Sequence, residues 1–226
     1  MSESRPSILA VLEKSLARAR ARGPRELLQT ALGRLKQEIS SDDELIFLTR
    51  PAGGPLSRRD GLEVGRATPA DAGLYARDIG TDSGSTFSER LTEATMCFLV
   101  LGEGRAVHAS WVATSAAWTL EIRRFVTPPA RAAYVYESFT RPDARGRGVY
   151  PFALEGIAHS LSQDGIEEIW VAVERDNVPS QRAIAKAGFV PAFELRYRRR
   201  FGRLTIENPT GPRASEAEAL FSRSSL

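Results

Sequence analysis

Residues 137–158 read ESFTRPDARGRGVYPFALEGIA. The residues up to Thr140 predict the end of a strand, because Pro142 has no N–H for a sheet ladder. A loop with two glycines follows. After the loop, apolar residues recur at the spacing of a helix that packs one face on a sheet, at Leu154, Ile157, Ala158 and Leu161. The segment therefore predicts a strand, a loop and an amphipathic helix, in that order.

The loop Gly146-Arg147-Gly148 has the composition of an anion-binding loop. Glycines let a ligand approach the backbone, and the N–H groups at a helix start attract negative charge. Arg145 and Arg147 would add charged donors. A solvated turn is the alternative that these residues leave open. The loop is neither a dinucleotide fingerprint, since Pro151 stands where its third glycine would fall, nor a P-loop.

The rest of the chain predicts a mixed α/β domain. A second informative segment follows a predicted strand, where Asn177 can cap a helix and Gly188 can end it. Hydrophobic periodicity and turn residues predict strands at 45–49, 62–67, 97–101, 105–113, 119–125, 132–140, 166–174, 189–200 and 204–207, and helices at 69–78, 89–94, 145–162 and 179–187.

Taken together, these segments resemble the GNAT superfamily of acyl-CoA-dependent N-acyltransferases. The resemblance rests on strand–Pro–x–x–Arg–Gly–x–Gly–helix followed by Asn177-x-x-Ser180 and Lys186-x-Gly188-Phe189. It is strongest over 132–190 and weaker over 62–207. The fold that it implies is α/β (α+β): a splayed, mostly antiparallel mixed sheet flanked by helices, with acyl-CoA between the strands at 132–140 and 166–174.

The resemblance also implies binding residues. Backbone groups of Ser138, Phe139 and Thr140 would run beside the pantetheine arm of acetyl-CoA, and one N–H would polarise the thioester carbonyl. Asn177 would contact the pantetheine or the start of the next helix, with Ser180 beside it. The pyrophosphate would be held by the backbone at Arg145, Gly146, Arg147, Gly148, Val149 and Tyr150.

Two positions depart from the family pattern. The family usually has Gly or Ala where this chain has Tyr150, so the Tyr150 side chain must point away from the phosphates. Many members have a Tyr that protonates the departing thiolate where this chain has Ile184. Tyr150, Ser180 and water are the substitutes that we consider. The alternative is that no acid is needed, because a thiol with a pKa of about 8.5 is already a fair leaving group.

Amine acylation also requires a base, because an ammonium group must lose a proton before it can attack. Glu137, on the strand beside the thioester, is the first candidate, and Glu174 is the second. The alternative for each is a surface or ion-paired strand carboxylate. We expect His108 to be a hydrogen-bonded core histidine rather than a base. Cysteine–histidine ligand spacing is absent from the sequence, and no metal is expected.

The charge of the chain is unevenly distributed. The whole sequence carries 31 basic and 28 acidic residues, whereas residues 1–40 hold eight basic and four acidic ones. The basic excess therefore belongs to an N-terminal extension of helical pattern, and no nucleic-acid partner is expected. This arm is expected to pack on the body or on a partner subunit, as in a homodimer, with peripheral contact to an anionic membrane as the alternative.

These patterns define three regions and a function. We expect a basic helical extension at 1–40, the acyltransferase domain at 41–208 and a disordered polar tail at 209–226. No apolar run approaches the ~20 residues of a membrane span, and one cysteine is typical of a reducing, cytoplasmic setting. The predicted reaction is direct transfer of an acetyl or short acyl group from acetyl-CoA to a primary amine of a small molecule, such as an amino sugar or amino-acid derivative. Protein or peptide acetylation and a non-catalytic acyl-CoA-binding module are the alternatives.

Overall fold

A computed structural model describes residues 40–221 of the chain. The predicted helical arm therefore lies, apart from Ser40, outside the described residues. The elements are β1 Ser40–Pro51, β2 Leu62–Arg66, α1 Ala72–Asp78, α2 Gly84–Arg90, β3 Thr95–Gly102, β4 Arg105–Ala113, β5 Ala117–Thr119, β6 Arg124–Val126, β7 Ala132–Thr140, α3 Val149–Gln163, β8 Glu168–Glu174, α4 Val178–Lys186, β9 Val190–Arg200, β10 Arg203–Ile206 and α5 Ala217–Phe221. None of these helices is long and apolar enough to cross a membrane.

Eight strands form one sheet in the order β10-β9-β1-β8-β7-β4-β3-β2, and β5 and β6 form a separate hairpin. Neighbouring strands of the large sheet are antiparallel except β7 and β8, which are parallel. The fold is thus the mixed, mostly antiparallel α/β arrangement that the sequence predicts. β1 lies inside the sheet between β8 and β9, where Leu45 is opposite both Glu174 and Leu195.

Each face of the sheet has its own apolar core, because successive strand side chains point to opposite faces. The helix face is covered by α3 and α4, and Val135 of β7 is buried there beside Leu154 and Ile184. The hairpin face is covered by α1 and α2 over β4 and by the β5–β6 hairpin and α5 over β1 and β9. Tyr134, the neighbour of Val135, is buried in this second core.

Four predicted elements had wrong boundaries. The first strand, expected at 45–49, runs from Ser40 to Pro51 and begins five residues earlier. The helix expected at 89–94 lies at Gly84–Arg90, because the Ser83 hydroxyl accepts from the Thr86 N–H and so starts the helix earlier. The strand expected at 119–125 is two short strands joined by a turn. Helix α3 begins at Val149 rather than at 145, because Gly146 and Gly148 adopt φ angles of 75° and 72°, which are not helical.

The prediction of a disordered tail was also wrong for residues 209–221. Ala217 and Leu220 of α5 are buried against β1 and β9. Arg213 donates to Glu168 and lies 4.7 Å from the centre of the Trp170 ring. Two buried apolar residues and one paired arginine give too weak a pattern to be noticed in a polar sequence. Together they hold the segment on the hairpin face.

Candidate active site

A cleft opens between β7 and β8. The two parallel strands pair from Ala132 and Glu168 as far as Val135 and Val171, and their ladder then ends. β7 continues to Thr140 along β4, and β8 continues to Glu174 along β1, so both strands remain held from their outer sides. The edges that face each other beyond Val135 and Val171 carry backbone groups free of ladder bonds. We call this gap the β7–β8 cleft.

A β-bulge shapes the β7 side of the cleft. The register between β4 and β7 shifts opposite Ser110, and Glu137 adopts a φ of 48°. A left-handed conformation is uncommon for a residue other than glycine, asparagine or aspartate and marks a locally re-aimed backbone. The bulge places Glu137 toward Arg90 on the hairpin face and Ser138 toward Ser110 on the helix face. Glu137 and Ser138, two of the predicted site residues, therefore lie beside the cleft on opposite faces of the sheet.

The loop after β7 presents a row of backbone N–H groups. Gly146 and Gly148 have positive φ angles, and Gly148 precedes the first turn of the 15-residue helix α3 without a side-chain cap. Within residues 40–221, the amides of residues 146–150 donate to no recorded protein acceptor. Arg145 Nε donates instead to the Thr140 carbonyl, which ties the loop to the end of β7. These unpaired donors at the positive end of a helix fit a bound phosphate.

Tyr150 turns into the protein, away from that row of amides. Its ring stacks on the His108 ring at 5.3 Å between centres, and it packs against the core of the helix face. Burial raises the pKa of Tyr150 to about 12, against a smaller lowering by the Ser138 hydroxyl. The phenol therefore stays protonated at neutral pH. This orientation is the one that the departure from the family pattern at this position requires.

His108 is a core histidine, as the sequence predicts. It is fully buried, with Nδ1 2.7 Å from Thr140 Oγ1 and Nε2 2.8 Å from Ser110 Oγ. Ser110 Oγ lies 2.8 Å from Ser138 Oγ, so a chain of hydroxyls links the imidazole to the cleft. Burial lowers the pKa of His108 to about 3, and the ring is therefore neutral. It braces the end of β7.

Glu174 stands at the end of β8 on the hairpin face. The Tyr197 hydroxyl donates to its Oε1 at 3.2 Å. Burial raises the pKa of the Glu174 carboxyl, and the charges of Glu121 and Asp176 raise it further. Within the described chain no arginine or lysine pairs with Glu174. A half-buried carboxylate with a raised pKa and no cationic partner is suited to accept a proton.

Glu137 has a different environment. Its Oε2 accepts from Arg90 Nη2 at 3.0 Å, and Arg90 also pairs with the buried carboxylate of Asp82. Arg90 lies 3.8 Å from the centre of the Trp111 ring. A carboxylate held by a guanidinium takes up a proton less readily. The sequence could not reveal this pair, because Arg90 and Glu137 belong to distant elements with no shared motif.

The second predicted segment forms helix α4 beside the cleft. The Asn177 side-chain oxygen accepts from the Ser180 N–H at 3.3 Å, so Asn177 caps this helix. Ser180 is half-buried in the first turn. Ile184 is buried in the core of the helix face and carries no proton that a thiolate could take. Of the remaining binding candidates, Phe139 and Val149 have buried side chains and offer the cleft only their backbones.

An open cavity of about 660 Å³ lies elsewhere, between α1 and the end of β7. Its arginines are already paired: Arg77, Arg105 and Arg141 all face the buried carboxylate of Asp78. Its cations are therefore less available to a phosphate than those of the 146–150 loop. In the part of the chain that the structure describes, no group of three or more His, Cys, Asp or Glu side chains could hold a metal ion.

Residues 83–189 match the model of the acetyltransferase (GNAT) family, and the chain therefore carries an acetyltransferase domain of that family. The match includes β7, the 146–150 loop and α4. No curated protein matches the chain.

Solved structures of acetyltransferases are similar to the chain at low identity. An aminoglycoside acetyltransferase from an uncultured soil metagenomic sample, in complex with sisomicin, is 13% identical over 56% of this chain and 88% of its own, with a TM-score of 0.44. The ribosomal-protein-S18-alanine N-acetyltransferase of Escherichia coli is 15% identical over 57% and 77%, with a TM-score of 0.43. A GNAT-family acetyltransferase of Colwellia psychrerythraea is 15% identical over 86% and 74%, with a TM-score of 0.47.

Proposed function

We propose that the chain is an N-acyltransferase that moves an acetyl or short acyl group from acetyl-CoA directly to a primary amine of a small molecule. The observation that carries the proposal is the continuity of the β7–β8 cleft with the unpaired amides of residues 146–150. The free edge of β7 would hold the pantetheine arm along Ser138, Phe139 and Thr140. The loop amides, with Arg145 and Arg147, would hold the pyrophosphate. Asn177 and Ser180 would border the arm from the side of α4.

In the proposed reaction Glu174 is the base and Tyr150 is the acid. Glu174 takes a proton from the ammonium group, and the amine nitrogen attacks the thioester carbon. A carbon–nitrogen bond forms, and the carbon–sulfur bond breaks as the tetrahedral intermediate collapses. The nitrogen, which becomes positively charged in the attack, releases its extra proton to water and leaves a neutral amide. The Tyr150 hydroxyl donates a hydrogen bond or its proton to the departing sulfur, and solvent restores that proton. Glu137, paired with Arg90, is a positioning residue that fixes the bulge in β7.

A small acceptor is favoured by the cover on the hairpin face. The β5–β6 hairpin lies over β7, where Thr119 Oγ1 is 3.3 Å from the Tyr134 hydroxyl. Arg199 Nη2 donates to the Glu121 carbonyl, which ties the turn of this hairpin to β9. A cover of this kind would leave less room beside β7 for a folded protein than for a small amine.

The remaining regions complete the proposal. We assign the catalytic domain to residues 41–208, extended by the α5 segment, and we assign the basic arm at 1–40 to assembly of a homodimer or to contact with an acidic surface. A cytoplasmic location is consistent with the one cysteine, Cys97, which is buried and free.

Thermal unfolding with and without acetyl-CoA tests the binding step. We expect acetyl-CoA at about 100 times its Kd to add about 2.7 kcal/mol of stability, with a corresponding rise in Tm. Gly146→Glu should abolish the rise, because a carboxylate would stand in the phosphate loop. Gly104→Glu is the matched control: Gly104 has a φ of 72°, close to that of Gly146, and neither glycine has a neighbour within 4 Å of an added Cβ. An absent shift in the native protein would contradict the proposal.

Release of free thiol with a panel of amines tests the transfer step. Amino sugars and amino-acid derivatives should release CoA thiol, whereas peptides should not. Transfer to peptides alone would favour the protein-acetylating alternative. A Tm shift with no thiol release across the panel would favour the non-catalytic binding module.

A further inference from the structure

One segment before the matched family region runs along the outside of α3. Residues 52–61, which we call the strap, join β1 to β2. Gly53 N donates to the Ala158 carbonyl at 2.8 Å. The Gly54 carbonyl lies 3.2 Å from His159 Nδ1. The strap therefore lies against α3 near the C-terminal half of that helix, where it leaves β1.

The strap then follows α3 toward the N-terminus of the helix. Both the N–H and the hydroxyl of Ser57 donate to the Glu155 carboxylate. Two residues later, Arg59 reaches Gly148: a Cβ at Gly148 would be 3.2 Å from Arg59 Nη1 and 3.5 Å from Nη2. The strap thus delivers a guanidinium to the loop whose amides have no acceptor among the described residues.

No ion pair within residues 40–221 explains the position of Arg59 beside Gly148. The side chain is half-buried, and among residues 40–221 no carboxylate pairs with it. A guanidinium has donors arranged in a planar fork that matches two phosphate oxygens. Gly148 has no side chain to keep that fork from the backbone amides beside it. A phosphate bound by those amides would therefore lie next to a cation that has no carboxylate partner in the described part of the chain.

We propose that Arg59 is a phosphate ligand, and that the strap gives the protein its preference for full-length CoA over donors that lack the phosphates. This inference rests on the proposed function. CoA offers Arg59 two kinds of phosphate, the pyrophosphate and the 3′-phosphate of the adenosine. The strap lies outside residues 83–189, and its role does not follow from the family match.

Calorimetric binding to the full chain, with CoA and 3′-dephospho-CoA as ligands, tests the inference. Arg59→Gln should weaken CoA binding roughly 10- to 100-fold, as expected for loss of charge-assisted hydrogen bonds. Arg59→Lys should restore part of the loss. Arg58→Gln is the matched control, because Arg58 is an exposed arginine of the same strap, and its effect should stay within about 3-fold. If Arg59→Gln weakens the binding of dephospho-CoA as much as that of CoA, Arg59 contacts the pyrophosphate. If it leaves the binding of dephospho-CoA unchanged, Arg59 contacts the 3′-phosphate.

A purely structural role for the strap would give a different pattern. Pantetheine binding, followed by ligand-detected NMR, should be the same for the native protein and Arg59→Gln, because pantetheine has no phosphate. Equal weakening of CoA and pantetheine would overturn the inference, as would unchanged CoA binding in Arg59→Gln. The salt dependence of CoA binding should also be shallower in the variant. If the native protein bound no CoA at all, the proposed function would fall together with the inference.

Discussion

Glu137 Oε2 and Arg90 Nη2 are 3.0 Å apart, and they join the bulge of β7 to the end of α2. Arg90 is only 16% exposed, and the same guanidinium binds Asp82. Burial lowers the pKa of Arg90, but Glu137 and Asp82 outweigh that effect and the net pKa is raised. The Arg90 guanidinium therefore stays charged and presents a permanent cation to Glu137 and Asp82.

Breaking this pair should affect stability more than chemistry. A double-mutant cycle of Arg90→Met and Glu137→Gln, read by urea unfolding, should give a coupling of about 1–3 kcal/mol. Glu137→Gln alone should lower kcat/KM by less than about 10-fold and leave the shape of its pH profile unchanged. If instead the acidic limb of the profile vanished in this variant, Glu137 rather than Glu174 would be the base.

Glu174→Gln should lower kcat by about 10²-fold or more, because the incoming ammonium loses its proton acceptor. In the native protein kcat/KM should fall as the pH drops through the pKa of Glu174. Because that pKa is raised, the fall should begin above the ordinary carboxyl value of about 4.3. Asp176→Asn removes a nearby negative charge and should move the acidic limb to lower pH. An unmoved limb in Asp176→Asn and an intact one in Glu174→Gln would assign the limb to another group.

Tyr150→Phe should lower kcat by about 10²-fold while changing the affinity for CoA less than about 3-fold. The ring would keep its stacking on His108, and only the proton donor would be lost. The native pKa of about 12 predicts that Tyr150 itself causes no alkaline limb below about pH 10. Tyr134→Phe, which removes a phenol on the hairpin face, is the control and should be close to native. A Tyr150→Phe enzyme with native kcat would contradict the role of Tyr150 as acid and leave Ser180, water or no acid at all.

His108 should make the protein acid-sensitive. The unfolded chain binds a proton on this imidazole below about pH 6.5, whereas the folded protein does so only near pH 3. The stability that neutral His108 contributes is thus fully present above pH 6.5 and is lost as the pH falls toward 3. The slope should be up to about 1.4 kcal/mol per pH unit. His108→Gln should flatten the pH dependence of the unfolding free energy, whereas His159→Gln, at the exposed histidine, should reproduce the native curve.

Gly156→Ala should destabilise the protein, although alanine is the better helix former. An added Cβ would stand 2.3 Å from Val64 Cγ1, so β2 or α3 must shift. We expect a loss of about 1–3 kcal/mol in urea unfolding. Gly73→Ala in α1 has nothing within 4 Å and should instead gain up to about 1 kcal/mol. Equal effects of the two variants on the free energy of unfolding would mean that β2 can move away from the added methyl group at little cost.

The sequence predicted those parts of the site that depend on local chemistry. The limits of β4 and β7 agree with the prediction, and the glycine loop and the Asn177 cap appear where their residue types indicated. The ion pair of Glu137 could not be predicted, since it depends on Arg90, which tertiary folding brings to Glu137. Arg59 likewise reaches Gly148 only because the strap follows α3. Non-local pairing of this kind leaves no periodic signal.

The interior place of β1 has a consequence for biosynthesis. β1 is the first described strand to be synthesised, yet both of its partners, β8 and β9, come more than a hundred residues later in the chain. Its hydrogen-bonding edges must therefore wait until most of the domain has left the ribosome, and such distant pairings slow folding. Until then β8 would lack the neighbour that holds Glu174 at the cleft. The active site should thus mature last, when β1 meets β8 and β9.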